Sequence, residues 1–198
     1  MRKLLFSLGL ILLAPAMQLS AGPIYTATLT GANEVPPTGS PATGNAVLTL
    51  NGNLLQVSVS YSGLIGGASS AAHIHCCTAP GTNTGVTVPF VNFPSAAAGT
   101  YSNTFDLTLP GTYLAAFLSA NGGTAATAEA ALLAGLNAGM AYVNIHNTQF
   151  PGGEIRGFVA TAPTTGAVAV PETGSILLLG LGLIALAFVR PIQRIFSA

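Results

Sequence analysis

The 198-residue chain has very few charged side chains: five basic and five acidic residues make up 5% of it, against roughly 25% in a typical soluble protein. The basic residues are Arg2, Lys3, Arg156, Arg190 and Arg194. Arg156 is therefore the only cation between residues 22 and 170. A protein that binds nucleic acid needs several cations to neutralise phosphates, so the composition excludes nucleic acid as a partner.

Residue types with catalytic or metal-binding chemistry are equally scarce. The chain has three histidines and two cysteines, and tryptophan is absent. It also lacks a Gly-x-Ser-x-Gly hydrolase motif, a zinc-protease helix motif and a phosphate-binding glycine loop. We therefore predict that the protein is not an enzyme.

Residues 1–21 have the pattern of an export signal. Two basic residues precede an apolar run at residues 4–13, and small residues follow it. Cleavage is expected after Ala21, with Ala16 as a second candidate position. The apolar run is too short to span a bilayer comfortably, so we predict a cleaved signal helix rather than a permanent anchor.

The C-terminal region, residues 171–198, has a mirrored arrangement. The motif Val170-Pro171-Glu172 precedes an apolar stretch at residues 176–189, and two arginines follow that stretch. At about 1.5 Å per residue the stretch covers roughly 21 Å, which is short for a membrane span. The trailing arginines favour a cytoplasmic C-terminus and an outward-facing domain. Residues 163–170 are small and featureless and are predicted to be a linker.

This tail resembles the PEP-CTERM sorting signal of Gram-negative bacteria, in which a short Pro-Glu-Pro motif precedes a hydrophobic helix and a basic tail. Here Thr173 stands where that family usually has proline. The resemblance implies processing by an exosortase-type enzyme and at least transient residence in the inner membrane. A plain single-pass anchor is the alternative. We accordingly expect export to the periplasm, cell surface or extracellular matrix of a Gram-negative bacterium.

Between residues 22 and 162, short alternating runs are separated by turn residues, and the 24 glycines and 13 prolines of the chain favour many turns. Asn51-Gly52 between two such runs is a strong hairpin signal. The pattern is typical of an all-β, immunoglobulin-like or Greek-key antiparallel β-sandwich. The predicted strands are residues 24–30, 46–50, 54–61, 71–75, 104–109, 140–146 and 154–160, with a weaker one at 86–90 that Pro89 interrupts.

One segment departs from this pattern. Residues 125–137 are rich in alanine and leucine, and Gly139 follows them as a helix stop. We predict one short helix here. Its apolar residues should close one end of the sandwich through Leu132, Leu133 and Leu136.

All three histidines lie in two strand-like runs: His73 and His75 in Ala-His-Ile-His-Cys-Cys, and His146 at the end of Tyr-Val-Asn-Ile-His. Alternate strand residues share a face, so His73 and His75 project the same way, with Cys77 in phase if the strand continues. Imidazole and thiolate are good ligands for zinc and copper. If the fold brings the two strands together, we predict one copper or zinc site formed by His73, His75, Cys77 and His146. Alternatively, the imidazoles hydrogen-bond backbone groups or Glu34.

A His-x-His pair on a strand resembles the copper-ligand arrangement of Cu,Zn superoxide dismutases. Their two-metal centre needs more histidines than the three present. Counting therefore excludes a dismutase of this type and leaves at most a mononuclear site, in a small redox or metal-handling protein.

Cys76 and Cys77 are adjacent and have no other intramolecular partner. In an oxidising compartment they can form a vicinal disulfide, which we predict first. Metal thiolates, intermolecular disulfides and free thiols are the alternatives. A catalytic thiol would need an activating base, and His75 points away from Cys76 in a regular strand.

Arg156 should find a carboxylate partner in so uncharged a domain. Glu154 lies two residues before it, and Glu34 and Asp106 are further candidates. We predict a structural ion pair that joins Arg156 to Glu154 or Glu34, since a buried charge needs a partner.

Several of these segments together resemble the CHRD domain, which is named from chordin and also occurs singly in bacterial secreted proteins. The resemblance implies a β-sandwich that is a binding or structural module, here in the bacterial envelope or matrix. An extracellular polysaccharide, an extracellular protein and no diffusible ligand are the alternatives for what it contacts. The segments are residues 30–37, 42–44, 72–75, 142–146 and 150–157, of which the last reads Phe-Pro-Gly-Gly-Glu-Ile-Arg-Gly.

Overall fold

The computed structural model describes residues 22–162. The predicted signal peptide, the linker, the motif at Val170, Pro171 and Glu172, and the hydrophobic C-terminal helix lie outside the described residues. Within residues 22–162, no helix combines the length and the hydropathy that a membrane crossing requires.

The described chain is mostly β structure, as predicted, and each predicted strand overlaps an observed one. The strand predicted at 104–109 overlaps only at residues 104–106, and the strand predicted at 154–160 extends over two short strands. Two short helices, α1 (Ala115–Ala120) and α2 (Ala125–Asn137), lie between the sixth and seventh strands. The strands are β1 (Ile24–Thr30), β2 (Thr43–Asn51), β3 (Leu54–Ser62), β4 (Ser69–Cys76), β5 (Val86–Pro89), β6 (Gly99–Asp106), β7 (Ala141–Asn147), β8 (Ile155–Phe158) and β9 (Ala160–Thr161).

The strands form one curled antiparallel sheet, in the order β5-β4-β7-β8-β1-β2-β3-β6, with β9 paired to β1. The prediction of two separate sheets needs correction, because β1 and β8 pair at Thr30 and Arg156 and so join the two halves. The curl brings opposite edges together: Phe90, next to β5, stacks on Tyr101 of β6 at 5.2 Å between ring centroids. Alternating hydrophobicity indicates which face is buried, but not which strands pair.

The helices close part of the core. α2 has the predicted bounds, and Thr124 caps it by accepting a hydrogen bond from the Thr127 amide. Leu132 and Leu136 are fully buried, and Leu133 packs against the core from a partly buried position. The sequence predicted only this helix, because the six residues of α1 are too few to show a helical period.

The outer faces of the two halves of the sheet differ. On β1, β2, β3 and β6 the outward side chains are mostly exposed to solvent. Every residue of β7, in contrast, is buried. The loops at residues 31–42 and 78–85 contribute groups that hydrogen-bond side chains of β4 and β8 on this side of the sheet. On the half of the sheet that contains β4, β7 and β8, loops therefore cover the outer face and its polar side chains.

Candidate metal centre

The pairing of β4 with β7 places all three histidines on one face of the sheet. Ala71 lies opposite His146, and His75 lies opposite Tyr142. Directly opposed residues of neighbouring strands share a face, as do residues two apart on one strand. His73 and His146 are consequently diagonal neighbours, within reach of each other.

The imidazoles converge at short range. The Nδ1 atom of His73 is 3.2 Å from the Nε2 atom of His146. One ring nitrogen from each of the three histidines lies within 4.8 Å of the others. Ligand atoms around a tetrahedral zinc ion, with bonds of about 2.0–2.1 Å, are about 3.3 Å apart. The His73 and His146 nitrogens are already at this separation. Such a triad can hold a metal ion.

Backbone carbonyls orient two of the rings. His75 Nδ1 donates to the Thr84 carbonyl at 2.9 Å, and His146 Nδ1 donates to the Pro151 carbonyl at 3.0 Å. Because a carbonyl only accepts, each Nδ1 carries the proton and each Nε2 keeps its lone pair, which at His146 faces His73 Nδ1 at 3.2 Å. The Nε2 atom of His75 is buried and has no hydrogen-bond partner among the described residues. Metal-binding histidines typically have this arrangement, with the second nitrogen bonded to a carbonyl or carboxylate.

The surroundings also keep the rings uncharged. The pKa values of His73 and His75 are lowered to about 4, chiefly by burial and in part by the nearby His146. The pKa of His146 is lowered as well, chiefly by burial. Neutral imidazole is the form that binds metals. At neutral pH the triad is therefore in its ligand form.

Cys77, the predicted fourth ligand, is not part of this cluster. β4 ends at Cys76, so the alternation that would have kept Cys77 in phase with the histidines stops. Cys77 is exposed at the surface, where its Sγ is 3.4 Å from the Ala131 carbonyl of α2. The two cysteines form the vicinal disulfide. Gly135 of α2 packs against both sulfur atoms, where a Cβ would overlap them.

Beside the triad lies a buried ion pair. Arg156 Nε donates to Glu34 Oε2 at 2.6 Å, and both side chains are almost fully buried. The guanidinium also donates to Asn83 Oδ1 at 2.6 Å. Its carbon lies 4.5 Å from the centre of the Tyr142 ring, which stacks on His75 at 4.6 Å. Tyr142 thus connects the ion pair to the histidines through contacts with both.

Glu154 does not pair with Arg156, so this part of the predicted ion pair needs correction. Its carboxylate accepts hydrogen bonds from Ser40 Oγ at 2.6 Å, from the amides of Ile65 and Gly66, and from the Asn147 side chain. The two-residue spacing places side chains on one face only within a strand, whereas Glu154 precedes β8. Asp106, the third candidate, instead accepts hydrogen bonds from Thr108.

Comparison with known proteins identifies the domain. The model of the CHRD domain matches residues 25–159, which is more than half of the chain. The chain belongs to the CHRD domain family. No curated protein and no solved structure matches it. The histidine triad and the Glu34–Arg156 pair both lie inside the matched region of this CHRD domain.

Several residues that shape this site of the CHRD domain were not singled out from the sequence. The sequence does indicate Tyr142, because it lies four residues before His146 and therefore shares its face of the strand. It does not indicate the carbonyls of Thr84 and Pro151, because loops carry them and no side-chain pattern marks a backbone acceptor.

Proposed function

We propose that this CHRD domain is a metal-binding module that holds one zinc or copper ion through His73, His75 and His146. The observation that carries the proposal is the Nε2 atom of His75: it is buried, lacks a partner and belongs to a ring fixed by the Thr84 carbonyl. An unpaired buried acceptor is costly. A metal ion bound there would satisfy it.

The donor set favours particular metals. Three neutral nitrogens without a carboxylate suit zinc and copper, whereas calcium and magnesium prefer oxygen ligands. His73 is only partly buried, so solvent could supply a further ligand beside it. The ion would supply a Lewis-acidic centre, or with copper a redox-active one.

The proposed role is binding rather than catalysis. Catalysis at such a centre commonly uses a nearby carboxylate as general base. Glu34 is held by Arg156, and Glu154 is occupied by four hydrogen-bond donors. Both buried carboxylates therefore have structural partners, and the one carboxylate oxygen of the two that lacks a partner within residues 22–162 is Glu34 Oε1.

The metal proposal is tested on the purified full-length chain after treatment with a chelator. Titration with zinc and with copper, followed by calorimetry and elemental analysis, should give about one ion per chain for at least one metal. His75→Phe keeps a ring against Tyr142 but removes the ligand nitrogen. It should weaken binding more than about 100-fold, because loss of a ligand's hydrogen-bond partner alone costs 10–100-fold.

Two control variants sharpen this test. Ser70→Ala changes an exposed residue of the same strand and should leave the affinity unchanged. The double variant Cys76→Ser, Cys77→Ser should still bind metal, because Cys77 lies outside the cluster. Well under one ion per chain in the wild type with both metals, or equal binding by His75→Phe, would overturn the proposal.

We further propose that the module is exported and acts in the envelope or extracellular matrix of a Gram-negative bacterium. The sequence patterns at residues 1–21 and 171–198 support export and sorting by an exosortase-type enzyme at the inner membrane. The disulfide is consistent with an oxidising compartment, where such bonds persist. Mass spectrometry of envelope material should show chains that end near Thr173, and chains that all extend to Ala198 would contradict processing.

A further inference from the structure

The exposed outer face of β1, β2, β3 and β6 presents an uncharged polar lattice. In the middle of these strands every outward residue carries a hydroxyl or an amide, apart from Val47. The strand register aligns these groups: Ser58 lies opposite Ser102, and Ser60 lies between Asn45 and Thr100. Neighbouring strands are about 4.8 Å apart, and outward residues repeat about every 6.8 Å along each strand.

Charge is almost absent from the surface of the whole described domain. Residues 22–162 contain five charged side chains, of which Glu34, Glu154 and Arg156 are buried. Asp106 and Glu129 remain. Asp106 lies at the end of β6, where its carboxylate accepts a hydrogen bond from the Thr108 amide, and Glu129 lies on α2. The middle of the polar lattice therefore has no formal charge.

One part of this face forms a local depression in the surface. A shallow cavity of about 340 Å³ lies across β2, β3 and β6, lined by Asn45, Val47, Ser58, Ser60, Thr100 and Ser102 among others. Its side chains project from a hydrogen-bonded sheet, so a ligand would meet groups that are already held in place. Preorganisation of this kind reduces the entropy cost of binding.

The composition of the face selects among classes of partner. Polyanions such as nucleic acids or acidic polysaccharides require cations, and the face has none. Stable protein interfaces need an apolar centre, and Val47 is the only apolar side chain in the middle rows. A neutral polymer that presents repeating hydroxyl groups matches a neutral lattice of hydroxyls and amides. We infer that this face is a docking surface for a neutral polysaccharide.

The inference is independent of the metal proposal, since the face lies on the half of the sheet away from the histidines in strand order. It is tested with the full-length chain in the presence of a chelator, so that failure of metal binding does not affect the result. The probes are insoluble cellulose, a β-1,3-glucan and agarose as neutral polymers, and alginate as an acidic one. We expect retention on at least one neutral polymer, unchanged in about 0.5 M salt because no ion pairs are involved.

Charged substitutions then locate the contact. Ser102→Glu and Ser60→Glu each place a carboxylate in the cavity, which docking would have to desolvate, and should weaken retention at least about 10-fold. Ala126→Glu introduces the same group at an exposed position of α2 and serves as the matched control. It should bind like the wild type.

The other outcomes would overturn the inference. Absence of retention on all three neutral polymers contradicts it directly. Retention on alginate equal to that on the neutral polymers, and lost at high salt, would indicate an electrostatic contact. Retention that both serine substitutions leave unchanged would place the contact elsewhere on the protein. If sedimentation shows dimers that Ser102→Glu dissociates, without polysaccharide binding, the face is instead an interface between copies of this chain.

Discussion

Replacing Glu34 with glutamine would leave the Arg156 guanidinium buried without its counter-ion. Both side chains are almost fully buried, and their contact of 2.6 Å is the one ion pair within residues 22–162. Removal of one member of a buried pair typically costs about 3–5 kcal/mol, because the other charge stays desolvated. Asn83 and the Tyr142 ring still contact the guanidinium, which places Glu34→Gln near the lower end, at about 3 kcal/mol.

The effect should be measured by urea denaturation at pH 7 with the disulfide intact. Since the chain has no tryptophan and five tyrosines, circular dichroism and tyrosine fluorescence are the suitable signals. At about 2–4 °C per kcal/mol for a domain of this size, the melting temperature should fall by roughly 6–12 °C. The matched control is Glu129→Gln, the same change on α2, which should stay within about 0.5 kcal/mol of the wild type.

A second variant separates loss of the pair from loss of packing. Glu34→Gln combined with Arg156→Met removes both charges while retaining much of the volume, and buried pairs replaced by apolar groups often recover their stability. We therefore expect the double variant to be more stable than Glu34→Gln alone. A decrease in the unfolding free energy of less than about 1 kcal/mol for Glu34→Gln would refute the reasoning, because an unpaired charge in the interior destabilises a protein by more than this.

Two further predictions concern the histidines and the disulfide. In metal-free protein the unfolding free energy should decrease as the pH falls from about 6.5 to 4, because unfolded imidazoles take up protons there while His73 and His75, whose pKa is lowered to about 4, do not. Each histidine contributes at most about 3 kcal/mol to this change in unfolding free energy. Urea denaturation of His75→Phe across this pH range should show a shallower dependence of the unfolding free energy on pH, and an unchanged dependence would contradict the lowered pKa of His75. Gly135→Ala should destabilise the protein by about 1–3 kcal/mol, since its Cβ would overlap both sulfurs of the disulfide. The control Gly111→Ala meets open space, and a stabilised Gly135→Ala variant in urea denaturation would rule out the close packing.

Local sequence patterns predicted the elements of this domain well, for identifiable reasons. The alternation in Val57-Ser58-Val59-Ser60-Tyr61 reflects one buried and one exposed face, and this property belongs to a single strand. The hairpin at Asn51-Gly52 is similarly local, because Gly52 has a positive φ of 57°. Pro89 marked the weaker strand, and that strand lies at an edge of the sheet, where a missing backbone donor is tolerated.

The site divides in the same way. Sequence spacing alone determined that His73 and His75 share a face, since alternation in a strand requires it. That His146 reaches His73 depended on the register of β4 with β7, which is fixed by packing between residues far apart in the chain. The end of β4 at Cys76 removed Cys77 from the cluster, and the loops that carry Glu34 and Thr84 supplied contacts that no local pattern encodes. The sequence by itself thus determined the strands, the side-chain faces and the scarcity of charge. Only the tertiary structure decided which ligands, carboxylates and carbonyls meet, because those contacts join segments of the chain that are distant in sequence.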